Sequence, residues 1–171
     1  MPESLRPLAV MGVSGAGKST IGELLATALG AEYADGDDFH PAANVAKMSA
    51  GTPLDDADRW PWLDAVGAWL AAHPGGVVSC SALKRVYRDR LRAAAPAVLF
   101  VELDVPRAEL VRRMTTRTGH FMRVRMLDSQ LATLQPLAAD EPGTTVDATG
   151  SPRSVVERVL SDLRGRLADP G

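Results

Sequence analysis

The residues Gly12-Val13-Ser14-Gly15-Ala16-Gly17-Lys18-Ser19 satisfy the pattern G-x-x-x-x-G-K-[ST] at every position. That combination handles phosphate. Glycines let the backbone curl until its N–H groups point inward at an anion, and a helix N-terminus directly after them adds partial positive charge. Lys18 has the length and charge to reach the outer phosphates, and the Ser19 hydroxyl is a ligand for Mg²⁺. The residues expected to hold a nucleotide are Gly12, Val13, Ser14, Gly15, Ala16, Gly17, Lys18, Ser19 and Thr20, with ATP and Mg²⁺ as the implied co-substrate and metal.

A second chemical group is the acidic turn Asp35-Gly36-Asp37-Asp38-Phe39-His40-Pro41. One carboxylate suits the orientation of Mg²⁺ through its waters, and the other suits the proton of an attacking hydroxyl. Asp35 is assigned to the metal, with Ser19, and Asp37 to the hydroxyl, with the reverse assignment open. Asp38 is expected to face solvent. His40 either hydrogen-bonds a substrate or caps the helix that begins near Pro41.

These groups need a frame that brings them to one edge. Apolar runs at Leu8–Val13, Glu32–Asp35, Gly76–Cys80, Val98–Leu103 and Thr144–Asp147 read as strands. Helical patterns occupy Ser19–Leu29, Pro41–Ser49, Asp56–Ala72, Lys84–Ala94, Arg107–Thr116, Arg123–Gln135 and Pro152–Ala168. Gly30 and Pro74-Gly75-Gly76 mark helix ends, and Ser151-Pro152 marks a helix start. This alternation predicts an α/β fold: a parallel sheet covered by helices on both faces, with ligands beyond the carboxyl ends of the strands.

Composition bounds the alternatives. The chain has 171 residues, is 46% hydrophobic and 23% charged, and carries a net charge of −2. A single domain over 1–171 accommodates this, and near-neutral charge gives no general attraction to nucleic acid or an anionic membrane. The single cysteine, Cys80, forms no intramolecular disulfide and reads as a small buried side chain at a strand end. The amino end has neither a signal-peptide pattern nor a membrane-length apolar run, so a cytoplasmic location is expected.

Further segments are narrower than a generic phosphate loop. Gly51-Thr52-Pro53-Leu54-Asp55-Asp56-Ala57-Asp58-Arg59-Trp60-Pro61-Trp62-Leu63 resembles the G-x-P-L-x-D-x-D-R-x-P-W-L stretch of the gluconate kinases. The loop Met11–Ser19, the turn Asp35–Pro41, Asn44 with Lys47-Met48, Cys80-Ser81-Ala82-Leu83-Lys84 with Tyr87-Arg88, Gly119-His120-Phe121 and Ser129-Gln130-Leu131-x-x-Leu134 agree with that family. The resemblance spans about Met11 to Pro136 and continues more weakly to the end. It implies an adenylate-kinase-like three-layer P-loop fold with a five-stranded sheet and a mobile lid near 117–135. It also implies a homodimer and transfer of phosphate from ATP to the 6-hydroxyl of D-gluconate.

Gluconate is a polyhydroxylated anion, so its site needs cations for the carboxylate. Arg59, Lys84 and Arg88 are the candidates, since arginine recognises carboxylates in a bidentate manner. Arg85, Arg90 and Arg92 read as a solvated helix face, and Trp60 and Trp62 as packing against the sheet. The basic stretch from Arg117 to Arg125 reads as the lid, with Arg117 and Arg123 expected to reach the transferred phosphoryl group. His120 is expected either to touch substrate or to brace the lid. Thr149-Gly150-Ser151-Pro152 is expected to flank adenine through backbone and shape. Two rival readings are a shikimate kinase, or another small-molecule kinase of the same fold, and a nucleotide-binding regulator without transfer activity. The sequence has no Asn-Lys-x-Asp segment of the kind that reads guanine in GTP switches.

Overall fold

The computed structural model describes residues 4–114 and 120–169, the side chains of 120–123 excepted. Strands β1 (Leu8–Met11), β2 (Tyr33–Asp35), β3 (Val77–Ser79), β4 (Leu99–Asp104) and β5 (Gly143–Asp147) pair in the order β2-β3-β1-β4-β5. Every pairing is parallel. Each strand falls within two residues of the range read from the sequence. All four residues of β1 are buried, and they alternate between two cores: Leu8 and Val10 on one face of the sheet, Ala9 and Met11 on the other. A strand covered on both faces needs a continuous apolar run, and β1 has one.

The helices are α1 (Lys18–Leu29), α2 (Ala42–Ser49), α3 (Asp56–Ala72), α4 (Arg85–Ala94), α5 (Arg107–Met114), α6 (His120–Thr133) and α7 (Pro152–Asp162). Residues of α1, α5, α6 and α7 share the core of Leu8 and Val10, and α3 and α4 share that of Ala9 and Met11. Local chemistry sets the ends. Gly30 terminates α1 at a φ of 62°. Asp55 and Asp58 open α3 with reciprocal bonds of 2.7 and 3.0 Å to each other's backbone N–H. Ser151 caps α7 with Pro152 at the first helical position, as its sequence predicts.

Three elements differ from the sequence reading. The acidic turn is a short 3-10 helix at Gly36–Phe39. Helix α6 starts at His120, inside the stretch expected to be a lid loop. Its apolar residues Val124, Leu127 and Leu131, with Leu134 just beyond, recur every three or four positions against the core, which favours a helix there. Helix α7 stops at Asp162 rather than Ala168, because Gly165 turns the chain at a φ of 78° and Leu5 then bridges Ala168. Among the described residues no helix is long and apolar enough to cross a membrane.

Parallel strands put all their carboxyl ends on one side. β1 runs into the phosphate loop, β2 into the acidic turn and β3 into Cys80–Lys84. The chemistry seen in the sequence is therefore gathered at one edge of the sheet.

Candidate active site

After β1 the chain turns through three glycines with φ of 151° at Gly12, 84° at Gly15 and 94° at Gly17. All three lie in the region that L side chains rarely adopt, so the curl depends on glycine. Gly17 is also the N-cap of α1 and offers no side-chain acceptor, which leaves the first N–H groups of the helix to an anion. Ser14, Gly15, Gly17, Lys18, Ser19 and Thr20 line a cleft of about 670 Å³, joined by Asp37, Arg113, Met114 and Met126. Val13 and Ala16 are buried in the core beneath the loop. The Val13 carbonyl accepts from Lys18 Nζ at 3.1 Å. Burial pulls the Lys18 ammonium below the ordinary lysine value, while Asp37, Cys80 and Asp35 oppose that shift.

The acidic turn is held from three sides. Asp35 Oδ1 accepts from the Asp37 N–H at 3.0 Å, and Asp35 Oδ2 lies 3.5 Å from Ser19 Oγ. A Cβ on Gly36 would sit 2.4 Å from the Ser79 carbonyl oxygen, so only glycine lets the turn pass over the end of β3. Trp62 Nε1 donates to the Gly36 carbonyl at 2.7 Å, and the His40 ring stacks on Trp62 with centroids 4.4 Å apart. His40 Nδ1 lies 3.2 Å from Asn44 Nδ2. Burial keeps the His40 pKa below its ordinary value; Asp37 opposes this and Arg59 adds to it. At neutral pH His40 is therefore an uncharged ring packed on Trp62, an arrangement absent from both readings made of it in the sequence.

Two of the expected cations meet at one corner. Lys84 Nζ lies 3.2 Å from Asp56 Oδ1, and Arg59 lies 3.9 Å from the same oxygen. Tyr87 donates its hydroxyl to Asp56 at 2.5 Å, with the Lys84 and Arg59 charges 5.5 and 5.6 Å from its ring centroid. Arg59 also donates to the Leu54 carbonyl at 2.7 Å. The hydrogen bond to Asp56 raises the Lys84 pKa. Sequence reasoning gave neither Asp56 nor Tyr87 a part in substrate binding. Their signal was their place beside the two cations in the Pro-Leu-x-Asp-x-Asp-Arg and Leu-Lys-x-x-Tyr segments.

Arg88 is a correction. It is fully buried and forms a two-pronged ion pair with Glu141, at 2.6 Å to Oε1 and 3.0 Å to Oε2, and it also donates to the Ala82 carbonyl. A guanidinium so enclosed has no open side for a substrate carboxylate. Arg117 lies outside the described residues, as do the side chains of His120 and Arg123, whose backbones begin α6. Cys80 is buried, and burial pushes its thiol up to about 12, so it remains a thiol at neutral pH. Arg113, which sequence reasoning passed over, joins two loops of this edge by donating to the Gly15 carbonyl at 2.8 Å and the Ala148 carbonyl at 3.1 Å.

Comparison with known proteins agrees with this arrangement. A profile of the shikimate kinase family matches residues 14–164. A gluconokinase of Gluconobacter oxydans is 48% identical over 160 residues, covering 91% of this chain and 89% of that one. The crystal structure of a gluconokinase from Sinorhizobium meliloti superposes with a TM-score of 0.88 at 46% identity, covering 97% of this chain and 95% of the other. The chain belongs to the gluconokinase family. A shikimate kinase from Aquifex aeolicus covers 93% of this chain and 96% of its own at 15% identity and a TM-score of 0.57, a likeness of fold alone. Within the broader shikimate-kinase-like group, the gluconokinase branch therefore holds this chain, and its fold is the P-loop kinase fold expected from the sequence.

Proposed function

We propose that this protein transfers the terminal phosphoryl group of ATP to the 6-hydroxyl of D-gluconate, giving 6-phospho-D-gluconate and ADP. The observation that carries the reading is that Asp37 and the phosphate loop line the same cleft. Phosphoryl transfer needs positioning and charge neutralisation rather than a covalent enzyme intermediate. Lys18 and the N–H groups at the start of α1 bind the phosphates. Asp37 accepts the proton of the attacking hydroxyl and aligns it. Lys84 and Arg59 bind the carboxylate of the acid, exchanging part of their contact with Asp56 for it. Arg117 and Arg123 offset charge on the transferred group, a role assigned on the sequence.

Ser19 and Asp35 fit Mg²⁺: their oxygens lie 3.5 Å apart beside the phosphate loop, hard donors for a hard cation that keeps several waters. When bound, the metal neutralises charge on the phosphate oxygens. A homodimer in the cytoplasm completes the reading, and light scattering reads the oligomeric state directly.

A coupled ADP-release assay over gluconate, shikimate, other sugar acids and nucleoside monophosphates tests the reading. Gluconate-dependent turnover is expected. Turnover with shikimate alone would select the rival kinase, and ATP binding without turnover on any acceptor would select the regulator.

A further inference from the structure

The phosphate loop is held from outside by side chains of two different helices. Gln130 of α6 accepts from the Ser14 N–H through Oε1 at 2.6 Å, across 116 residues of sequence. Arg113 of α5 donates to the next carbonyl along, that of Gly15. Ser14 precedes the N-cap of α1, so its N–H is not among the first-turn donors of the helix. Gln130 therefore takes up one N–H of the loop, that of Ser14, and leaves the donors at the helix end to a phosphate. Met126, one helical turn before Gln130 on the same face, lines the cleft. Just past α6, Gln135 Oε1 accepts from the Arg85 N–H at 2.8 Å, and the Gln135 N–H donates to the Leu83 carbonyl at 2.7 Å. One continuous segment thus touches both the phosphate loop and the two residues that flank Lys84.

We propose that Gln130 is a positioning residue for phosphoryl transfer: by pinning Ser14 to α6 it sets the phosphate loop at a fixed place relative to the Lys84 corner. Three glycines make the loop soft, and a soft loop spreads the phosphates over many positions. A fixed one keeps the phosphorus in line with the hydroxyl, and a displacement of about 1 Å costs up to ~10²-fold in rate. The residue type fits the place. A carboxamide accepts the Ser14 bond without bringing negative charge beside the phosphates, whereas a carboxylate would accept it and repel them.

The inference rests on the kinase reading above, and its test separates the two. Gln130→Ala and Gln130→Glu are made in the full chain, and exchange of the Ser14 amide is followed by NMR without substrates. Steady-state kinetics then use whichever acceptor the wild-type enzyme turns over. In Gln130→Ala the Ser14 amide should exchange faster and kcat should fall about tenfold or more, with KM for ATP and the melting temperature little changed. In Gln130→Glu the amide should stay protected while KM for ATP rises. Unchanged Ser14 exchange in Gln130→Ala, or faster exchange with wild-type kcat, overturns the proposal. A wild-type enzyme inactive on gluconate but active on another acceptor overturns the substrate reading and leaves this test intact.

Discussion

Lys18 and Asp37 bring opposite charges into one cleft, and each has a distinct expected signature. Lys18→Met removes the cation assigned to the phosphates and leaves the loop backbone in place. Turnover is expected to vanish with little change in the melting temperature; activity near that of the wild type would reject the assignment. Asp37→Asn keeps the shape of the turn and removes the proposed proton acceptor. A fall in kcat of about 10²-fold or more is expected, within the range for a positioned base, with KM for ATP nearly constant. Equal, modest changes in both constants would mark Asp37 as structural. Lys84→Ala should raise KM for gluconate and leave KM for ATP alone, because Lys84 stands at the Asp56 corner and not among the residues lining the nucleotide cleft.

At the scale of elements, the two apolar cores place helices and strands, and one buried ion pair adds a specific tie between them. Arg88 of α4 ties down the segment after α6: it pairs with both oxygens of Glu141, whose Oε2 also accepts from the Ala138 N–H at 2.8 Å. Burial alone would raise the Glu141 pKa, but the bonds from Arg88 and Ala138 outweigh it and the net shift is downward. Arg88→Met strands the Glu141 carboxylate in the interior. A loss of about 3–5 kcal/mol in urea unfolding is expected, the size typical of breaking a buried pair from one side. The double variant Arg88→Met with Glu141→Leu should recover a large part of that loss, since no charge is then left unpaired. A single-variant loss near zero would contradict the burial of the pair.

At the scale of the whole molecule, ligand and protons act on the entire folding equilibrium. ADP at 100 times its Kd should add about 2.7 kcal/mol of stability. For a chain of this size that is a rise in melting temperature of about 5–10 °C, readable by scanning calorimetry. A nucleotide pocket elsewhere would keep this shift in the Lys18→Met protein, whereas the present site predicts that it shrinks. Acid should act through the exposed ion pairs. Hydrogen bonds from cationic partners hold Asp58, Asp64, Asp128 and Asp140 below their ordinary value, and Arg112 draws Glu109 down to about 2. Depressed carboxylate pKa values stabilise the fold above the unfolded values and lose that effect as pH falls through the folded ones. Glu102 runs the other way, because burial raises it and its contribution fades as pH rises. Melting temperatures should therefore fall on acidification below the ordinary aspartate value of 3.8, and by less in high salt, which screens the exposed pairs and narrows the gap between folded and unfolded pKa values. What the linear chain determined is whatever depends on neighbours in sequence: the glycine-curled phosphate loop, the strand–helix alternation, the caps at Gly30 and Ser151, and the acidic turn. What only the tertiary structure decided is how distant side chains pair. Arg88 and Lys84 sit one helical turn apart and read alike as cations. Burial joined one to Glu141 while the other stayed at the open corner with Asp56. Gln130 likewise acquired its role only when packing of α6 on the core brought it to Ser14. Burial and partner choice are properties of three-dimensional contact, and residue spacing along a chain does not specify them.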